Sequence, residues 1–313
     1  MMPGSHAASR RFGGRARPTA YPALATFLAL LFFVSRASHA ADDDAQVEHP
    51  ASASDSSTDI NRKVTNPVST TWSLKIINVL TSQEVGSNGD HLQYKLQFQP
   101  VMPLLLTRYL KLITRPEFTL IEDTPYTNPQ GALSRTTGVG DTILDMVLSP
   151  RLGPWLFALG PTFVFPTANL EKTGQGKWQM GPAGVIGYQT KKFLLAVIFQ
   201  QWWSFAGSPD RPGVSELHLQ YLANYYFGDG WSIGTSPTMK VDWRATSGNQ
   251  VTFPIGPTLA KVVKLGGVFP VKLEIEGFYV PVRASDNGER FIVEFQIIPV
   301  VPAPLQRPLD DFW

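Results

Sequence analysis

Cysteine is absent from the 313 residues, which excludes disulfide frameworks, thiolate metal sites, cysteine nucleophiles and the lipid-anchor cysteine of a bacterial lipoprotein. Beyond residue 72 the chain also lacks a run of eighteen apolar residues, so a helical membrane span is excluded there. Histidine is scarce, because only His49, His91 and His218 follow residue 41, and their spacing does not fit a metal cluster. We therefore expect neither a metal nor another cofactor.

Basic residues are few once the first forty residues are set aside. Five of the 27 Lys and Arg residues precede residue 41, whereas all 25 Asp and Glu residues follow it. The remainder of the chain is mildly acidic and lacks the basic surface that nucleic-acid binding requires. We expect no nucleic-acid partner.

The first forty residues have the composition of an export signal. An Arg-rich start is followed by an apolar run at 23–34 and by Ser38, His39 and Ala40. Twelve apolar residues are too few to cross a bilayer core, which needs roughly 20. The pattern predicts a signal peptide over 1–40 that is cleaved before Ala41.

Residues 41–71 begin with three aspartates and contain few large apolar side chains, so they cannot bury much surface. This composition predicts a flexible periplasmic leader. The third segment, 72–313, is the predicted folded domain.

Strict alternation of polar and apolar residues dominates the rest of the chain. In 231–244 one parity contains Trp231, Ile233 and Met239, and the other contains Ser232 and Lys240. Such an amphipathic strand has one face in an apolar environment and the other in a polar environment. Comparable runs cover 72–82, 91–100, 106–122, 138–149, 154–167, 177–189, 192–206, 215–227, 250–264, 268–283 and 288–301.

These twelve segments predict an all-β fold, a single antiparallel up-and-down transmembrane β-barrel of about 12 strands, with 10 as the alternative. Short links are expected near 100–103, 150–154, 189–192, 227–230 and 264–267. Longer polar links are expected at 83–90, 122–137, 168–176, 207–213, 245–249 and 284–288. The alternation of link lengths is typical of a membrane barrel, whose short turns face the periplasm and whose long loops face outward.

Tryptophans recur near the predicted strand ends, as expected for aromatic girdles at the two membrane interfaces. They are Trp155, Trp178, Trp202, Trp203, Trp231 and Trp243.

The polar parity of the strands identifies candidate lumen-lining residues. These are Lys111, Arg115, Asp141, Asp145, Glu216, His218, Lys240, Asp242, Lys272, Glu274, Glu276, Arg290 and Glu294. With Lys95, Glu117, Lys177 and Arg244, the inward face carries eight charges of each sign. This balance favours ion pairs across a narrow lumen, and Asp141 and Asp145 are expected to pair with Lys111 or Arg115. The charges could equally serve only to stabilise the barrel.

An enzymatic alternative rests on the segment 87–91, where Ser87 and His91 could act as nucleophile and base of an outer-membrane lipid hydrolase. The segment is rich in turn formers, which favours a polar loop. We do not expect an enzyme, and no catalytic residue is assigned.

Five stretches carry a family signature: Gly-Pro-Thr-Phe-Val-Phe-Pro-Thr at 160–167, Gly-Gln-Gly-Lys-Trp-Gln-Met-Gly-Pro at 174–182, Trp-Ser-Phe-Ala-Gly at 203–207, Gly-Val-Gly-Asp at 138–141 and Asn-Pro-Val at 66–68. These stretches resemble the outer-membrane barrels grouped with the meta-pathway of phenol degradation. The resemblance extends over 66–301 and implies a transporter without catalytic residues.

Together these observations predict a bacterial outer-membrane protein that acts as a channel or uptake transporter for small, hydrophobic or aromatic solutes. Its expected partners are outer-membrane lipids, the barrel-assembly machinery during biogenesis and a small-molecule solute. A lipid hydrolase and a structural envelope barrel with a plugged lumen are the alternatives.

Overall fold

The computed structural model describes residues 50–52, 54–285 and 288–301, and in it all twelve alternating segments form strands. The predicted signal peptide lies outside the described residues. Helix α1 (Ser57–Thr65) precedes the first strand. The strands are β1 (Trp72–Glu84), β2 (Asp90–Leu105), β3 (Leu110–Thr127), β4 (Leu133–Gly138 and Thr142–Pro150), β5 (Trp155–Phe165), β6 (Lys177–Gln189), β7 (Phe193–Gly207), β8 (Ser215–Phe227), β9 (Trp231–Thr235 and Thr238–Asp242), β10 (Val251–Ile255 and Thr258–Leu265), β11 (Phe269–Val282) and β12 (Glu289–Val301).

Each strand pairs antiparallel with its neighbours in sequence, and the sheet closes on itself. The first and last strands pair from Trp72 opposite Val301 to Gln83 opposite Glu289. Closure leaves no sheet edge, so the backbone groups of the wall bond within the sheet, as a lipid-exposed sheet requires. The predicted twelve-stranded antiparallel barrel is confirmed.

In the middle of strand β11 the polar side chains face the interior and the apolar side chains face outward, the reverse of the distribution in a soluble protein. Lys272, Glu274 and Glu276 are buried, whereas Leu273 and Ile275 on the opposite parity are exposed. Buried charges facing exposed aliphatics are stable only if the outer surface meets hydrocarbon and the inner surface is polar. The period-two pattern of the sequence therefore determines which side of each strand faces the lumen.

Aromatic pairs ring both ends of the outer surface. Trp155 packs on Tyr188 with ring centroids 4.9 Å apart, near the short turns, and Phe165 packs on Trp178 at 5.6 Å, near the long loops. This arrangement is typical of interfacial girdles. The prediction was wrong for Trp202, which is 2% exposed and points into the barrel.

The two ends of the barrel differ as expected, although some link positions were wrong. Short turns occupy 106–109, 151–154, 190–192, 228–230 and 266–268, which defines the short-turn end. The link expected at 100–103 lies inside β2, because Pro100 and Pro103 sit in a strand that continues to Leu105. The long loop expected at 122–137 is mostly paired strand, from Glu122 opposite Gly138 to Thr127 opposite Leu133, and only 128–132 remains as its turn. The opposite end is called the long-loop end.

Residues 50–52 and 54–71, named the plug, differ from the flexible leader expected there; 41–49 and 53 lie outside the described residues. Ser56 caps α1 by accepting a hydrogen bond from the Asp59 N–H, at 3.1 Å. Ile60 and Val64 pack with Val262 and with two residues of β12, Ile298 and Val300, on the inner wall. Composition underestimated the segment because these apolar side chains share one face of a short helix. No helix in the described ranges is long and apolar enough to cross a membrane.

Candidate functional site: the barrel lumen

The inward parity of the strands encloses a cavity of about 520 Å³ between the plug and the long-loop end. A smaller space of about 60 Å³ adjoins it beside the plug. Because alternate residues of every strand point inward, the lining combines side chains from the whole wall. Among the predicted lumen residues, the cavity is lined by Arg115, Asp141, Glu216, His218, Lys240 and Glu294, and the smaller space by Arg115, Lys272 and Glu274.

The remaining predicted residues lie elsewhere on the inner wall or at its rim. Asp145 and Glu276 are buried and bond to lining residues, and Lys111 is also buried. Asp242 ends β9, where its carboxylate accepts the Arg244 N–H at 2.8 Å in a turn. Arg290 pairs with Glu84 at 3.2 Å and Asp90 at 3.0 Å, at the ends of β1 and β2 nearest the long loops.

Charged lumen residues form pairs, as the balance of signs suggested. Arg115 and Asp145 are cross-strand neighbours on β3 and β4, and their side chains meet at 2.6 Å. Lys272 and Glu274 meet at 2.6 Å on the plug side. Neutralisation within such pairs makes buried charges tolerable and narrows the space left for ions.

Several contacts reach between strands that are not neighbours in the wall. Lys240 of β9 meets Glu289 of β12 at 2.8 Å. Gln200 of β7 donates to both carboxylate oxygens of Asp145 on β4, at 2.9 and 3.0 Å. These contacts cross part of the interior and reduce the space left for a solute.

Glutamines form a second group of lining residues, which the prediction from charged residues missed. Glu117 accepts hydrogen bonds from Gln97 and Gln99, at 2.7 and 2.5 Å. Glu122 accepts one from Gln93 at 3.1 Å, in addition to its pair with Lys95. Amide donors satisfy carboxylates without adding charge. The signal was available in the sequence, because residues 93, 97 and 99 share the inward parity of β2.

The loop at 168–176 folds into the barrel and is named the inward loop. Asp141 holds it by accepting hydrogen bonds from the Ala168 N–H at 3.1 Å and the Gln175 N–H at 2.7 Å. Arg211 bonds the Glu171 carboxylate at 2.9 Å and the Gly174 carbonyl. The expectation that Asp141 pairs with a basic residue of β3 was therefore wrong. A carboxylate that accepts backbone donors anchors a loop instead.

The inward loop also contributes lining. Lys172, Thr173, Gly174 and Gln175 face the cavity, and Gln175 donates to the Glu216 carboxylate at 2.7 Å. The inward loop therefore occupies lumen space at the long-loop end, and the plug occupies lumen space at the short-turn end.

The plug is held by polar contacts in addition to its apolar face. Asn61 is 0% exposed and donates to the Gly230 carbonyl at 2.9 Å and to the Ser232 hydroxyl at 3.0 Å. Lys272 donates to the Thr65 hydroxyl at 2.9 Å. Gly230 has φ +80°, and an added Cβ would lie 2.8 Å from Ser57, so the turn below α1 needs glycine.

An ion pair within the plug completes its anchoring. Asp55 and Lys63 meet at 2.8 Å. Burial raises the pKa of the Asp55 carboxyl, but hydrogen bonds from Lys63 and the Ser52 N–H, with the Lys63 and Lys264 charges, hold it below its usual range.

Apolar and aromatic side chains interrupt the polar lining. Trp202 donates to Thr162 at 3.0 Å and packs edge-on against His218, with ring centroids 4.7 Å apart. Ile143 and Val164 lie on the same wall of β4 to β8. The lumen is thus amphipathic rather than uniformly polar.

The hydrolase alternative needs a serine and a histidine at hydrogen-bond distance. His91 Nε2 contacts the Asn88 carbonyl at 3.1 Å, and His218 lies 3.7 Å from Glu216. In the described part of the chain neither histidine bonds a serine hydroxyl. The described residues also contain no cluster of three or more His, Cys, Asp or Glu side chains that could bind a metal ion.

Comparison with known proteins identifies the family of the chain and solved structures with a similar fold. A family model described as "Putative MetA-pathway of phenol degradation" matches residues 87–267. No curated protein matches the sequence. An outer membrane channel from Pseudomonas putida F1 is 14% identical, with a TM-score of 0.56 over 74% of this chain and 95% of that chain.

Two further solved structures are more distant. A FadL homologue from Pseudomonas aeruginosa is 7% identical, with a TM-score of 0.33 over 75% of this chain and 91% of that chain. The toluene transporter TodX from P. putida is 10% identical, with a TM-score of 0.34 over the same shares.

Proposed function

The chain belongs to the family described as "Putative MetA-pathway of phenol degradation", and from that premise we propose that it is an outer-membrane channel for the uptake of small hydrophobic or aromatic solutes. The observation that carries the proposal is the cavity of about 520 Å³ inside a closed barrel whose outer surface is apolar. A wall of this kind is stable in lipid and encloses a route across it.

The solute class is inferred from the mixed lining. Trp202, Ile143 and Val164 offer apolar surface, while glutamine amides and paired charges surround it. Amides can both donate and accept, so they can bind a single polar substituent on an otherwise apolar molecule. Free ions gain little from such a lining, because most of the charges already have partners.

Transport through this lumen requires the plug to move. The plug occupies the short-turn end, where Ile60 and Asn61 are both 0% exposed. We propose that the short-turn end faces the periplasm, that residues 1–40 are removed on export, and that the barrel contacts outer-membrane lipids and is inserted by the barrel-assembly machinery. The resting protein should therefore conduct poorly and open in brief events.

The firm attachment of the plug also favours a second candidate, a structural envelope barrel whose plug never moves. The polar anchors of Asn61 and the apolar packing of Ile60 are the observations behind it. In a channel the plug moves in the wild type, so wild type should already pass solute, whereas a structural barrel should pass solute only after a substitution detaches its plug.

Liposome swelling with purified full-length protein separates the two candidates. Ile60→Asp places a carboxylate in an apolar contact, which should detach the plug and accelerate swelling in phenylalanine, an aromatic solute that crosses bare lipid slowly, at least several-fold. Lys261→Gln, on the outer wall against Trp231, serves as the control and should match wild type. A channel is contradicted if wild type swells no faster than empty liposomes while it migrates as a folded barrel on unheated gels.

A further inference from the structure

One cation of the cavity lining differs from the others in its contacts. Lys75 lies on β1, lines both the cavity and the smaller space beside the plug, and makes no hydrogen bond or ion pair with any described residue. The other cavity cations are occupied: Lys95 by Glu122, Arg115 by Asp145, Lys240 by Glu289 and Lys172 by the Tyr126 ring. A partly buried ammonium without a partner is costly, so this position favours an incoming anion.

The two carboxylates whose charges act most strongly on Lys75, those of Glu274 and Glu276, already have other partners. Glu274 pairs with Lys272 at 2.6 Å. Glu276 accepts hydrogen bonds from the hydroxyls of Ser236 and Thr258. The cations Arg115 and Lys272 act on the position alongside these two carboxylates, so the charges around the position are balanced and the Lys75 ammonium supplies a single unmatched positive charge. The position is therefore suited to a monoanion.

An apolar patch continues from Lys75 along the same wall. Ile77 and Val79 are the next inward residues of β1, and Phe278 and Ile292 line the cavity beside them. Val79 packs against the cluster that contains Phe278 and Ile292. A ligand with its charge on Lys75 would place its body on this patch and remove apolar surface from water.

We propose that Lys75 and this patch form a binding subsite for small monocarboxylates with an aromatic or aliphatic body. The inference rests on the proposed function, because it names the solute class of the same lumen. The carboxylate binds the Lys75 ammonium on the floor of the cavity, and the apolar body lies toward the long-loop end. A neutral solute of the same shape keeps only the second contact.

Equilibrium dialysis of the detergent-solubilised full chain tests the subsite with two labelled probes of matched shape, benzoate and benzamide. A hydrogen bond to a charged group typically changes affinity about tenfold or more, so wild type should bind benzoate at least about tenfold tighter. Lys75→Met should abolish that ratio, and Lys75→Arg should retain it. Lys261→Met removes a lysine from the outer wall and should leave the ratio unchanged.

Folding of each variant is checked by heat-modifiable migration on gels, and Lys75→Gln replaces Lys75→Met if the latter does not fold. The proposal is overturned if wild type binds the two probes equally, or if the variants lacking the cation keep the preference. Liposome swelling on the same preparations separates this failure from failure of the channel. If the protein accelerates swelling but does not prefer benzoate over benzamide, only the subsite is contradicted. If it prefers benzoate but does not accelerate swelling, only the channel is contradicted.

Discussion

Asp141 holds the inward loop by accepting two backbone N–H bonds, so Asp141→Asn should release the loop and widen the lumen. The carboxylate accepts from Ala168 at 3.1 Å and Gln175 at 2.7 Å. An asparagine has one acceptor oxygen, and its amide group would face the other N–H. The loss of one hydrogen bond to a charged acceptor costs about 2 kcal/mol, which shifts the ratio of released to docked loop about thirtyfold.

Single-channel recording in planar bilayers measures that shift. We expect Asp141→Asn to raise the unit conductance of each opening, because the released inward loop withdraws Gln175 from the cavity, while the plug continues to set how often openings occur. Asp210→Asn is the matched control, since it makes the same change of charge at an exposed position of the neighbouring long loop. Equal unit conductances in the two variants would refute the role of Asp141 as the anchor of the inward loop.

Three other expectations concern stability, export and topology. Asp145→Asn leaves the Arg115 guanidinium mostly buried without its carboxylate, so the barrel should lose about 3 kcal/mol of stability, measured by urea unfolding in detergent; an unchanged midpoint would contradict the pairing. N-terminal sequencing of envelope-purified protein should begin at Ala41, and a start at Met1 would contradict export by a cleaved signal. Epitope tags in 208–214 should be labelled on intact cells and tags in 228–230 should not, and the reverse pattern would invert the topology.

The strands could be predicted because membrane barrels impose a period of two on every segment. In β11 and β9 the inward and outward sets differ sharply in polarity, and their boundaries could be placed from the sequence within a few residues. The turn after β2 was misplaced because prolines usually end strands, whereas Pro100 and Pro103 lie within one. Local residue preference misplaced this turn because pairing with the neighbouring strands of the closed barrel keeps both prolines within the strand.

The lumen was less predictable, because its contacts join residues far apart in the chain. Nothing near Asn61 in sequence indicates that its amide bonds Gly230 and Ser232, and nothing near Asp141 indicates a loop 27 to 34 residues later. Parity assigned Glu216 and Lys240 to the inner face, but their partners depend on the folded wall. Trp202 was misassigned because tryptophan usually favours the interface, although its parity matched inward Gln200.

Movement of the plug is the central claim, and a reversible cross-link tests it most directly. The chain has no cysteine, so Asn61→Cys with Ser232→Cys introduces a single pair at positions whose side chains meet at 3.0 Å. The oxidised protein, with α1 tied to β9, should show no opening events in planar bilayers, and reduction with dithiothreitol should restore them. Equal activity in the oxidised and reduced forms, or silence in both, would contradict transport through a lumen gated by the plug.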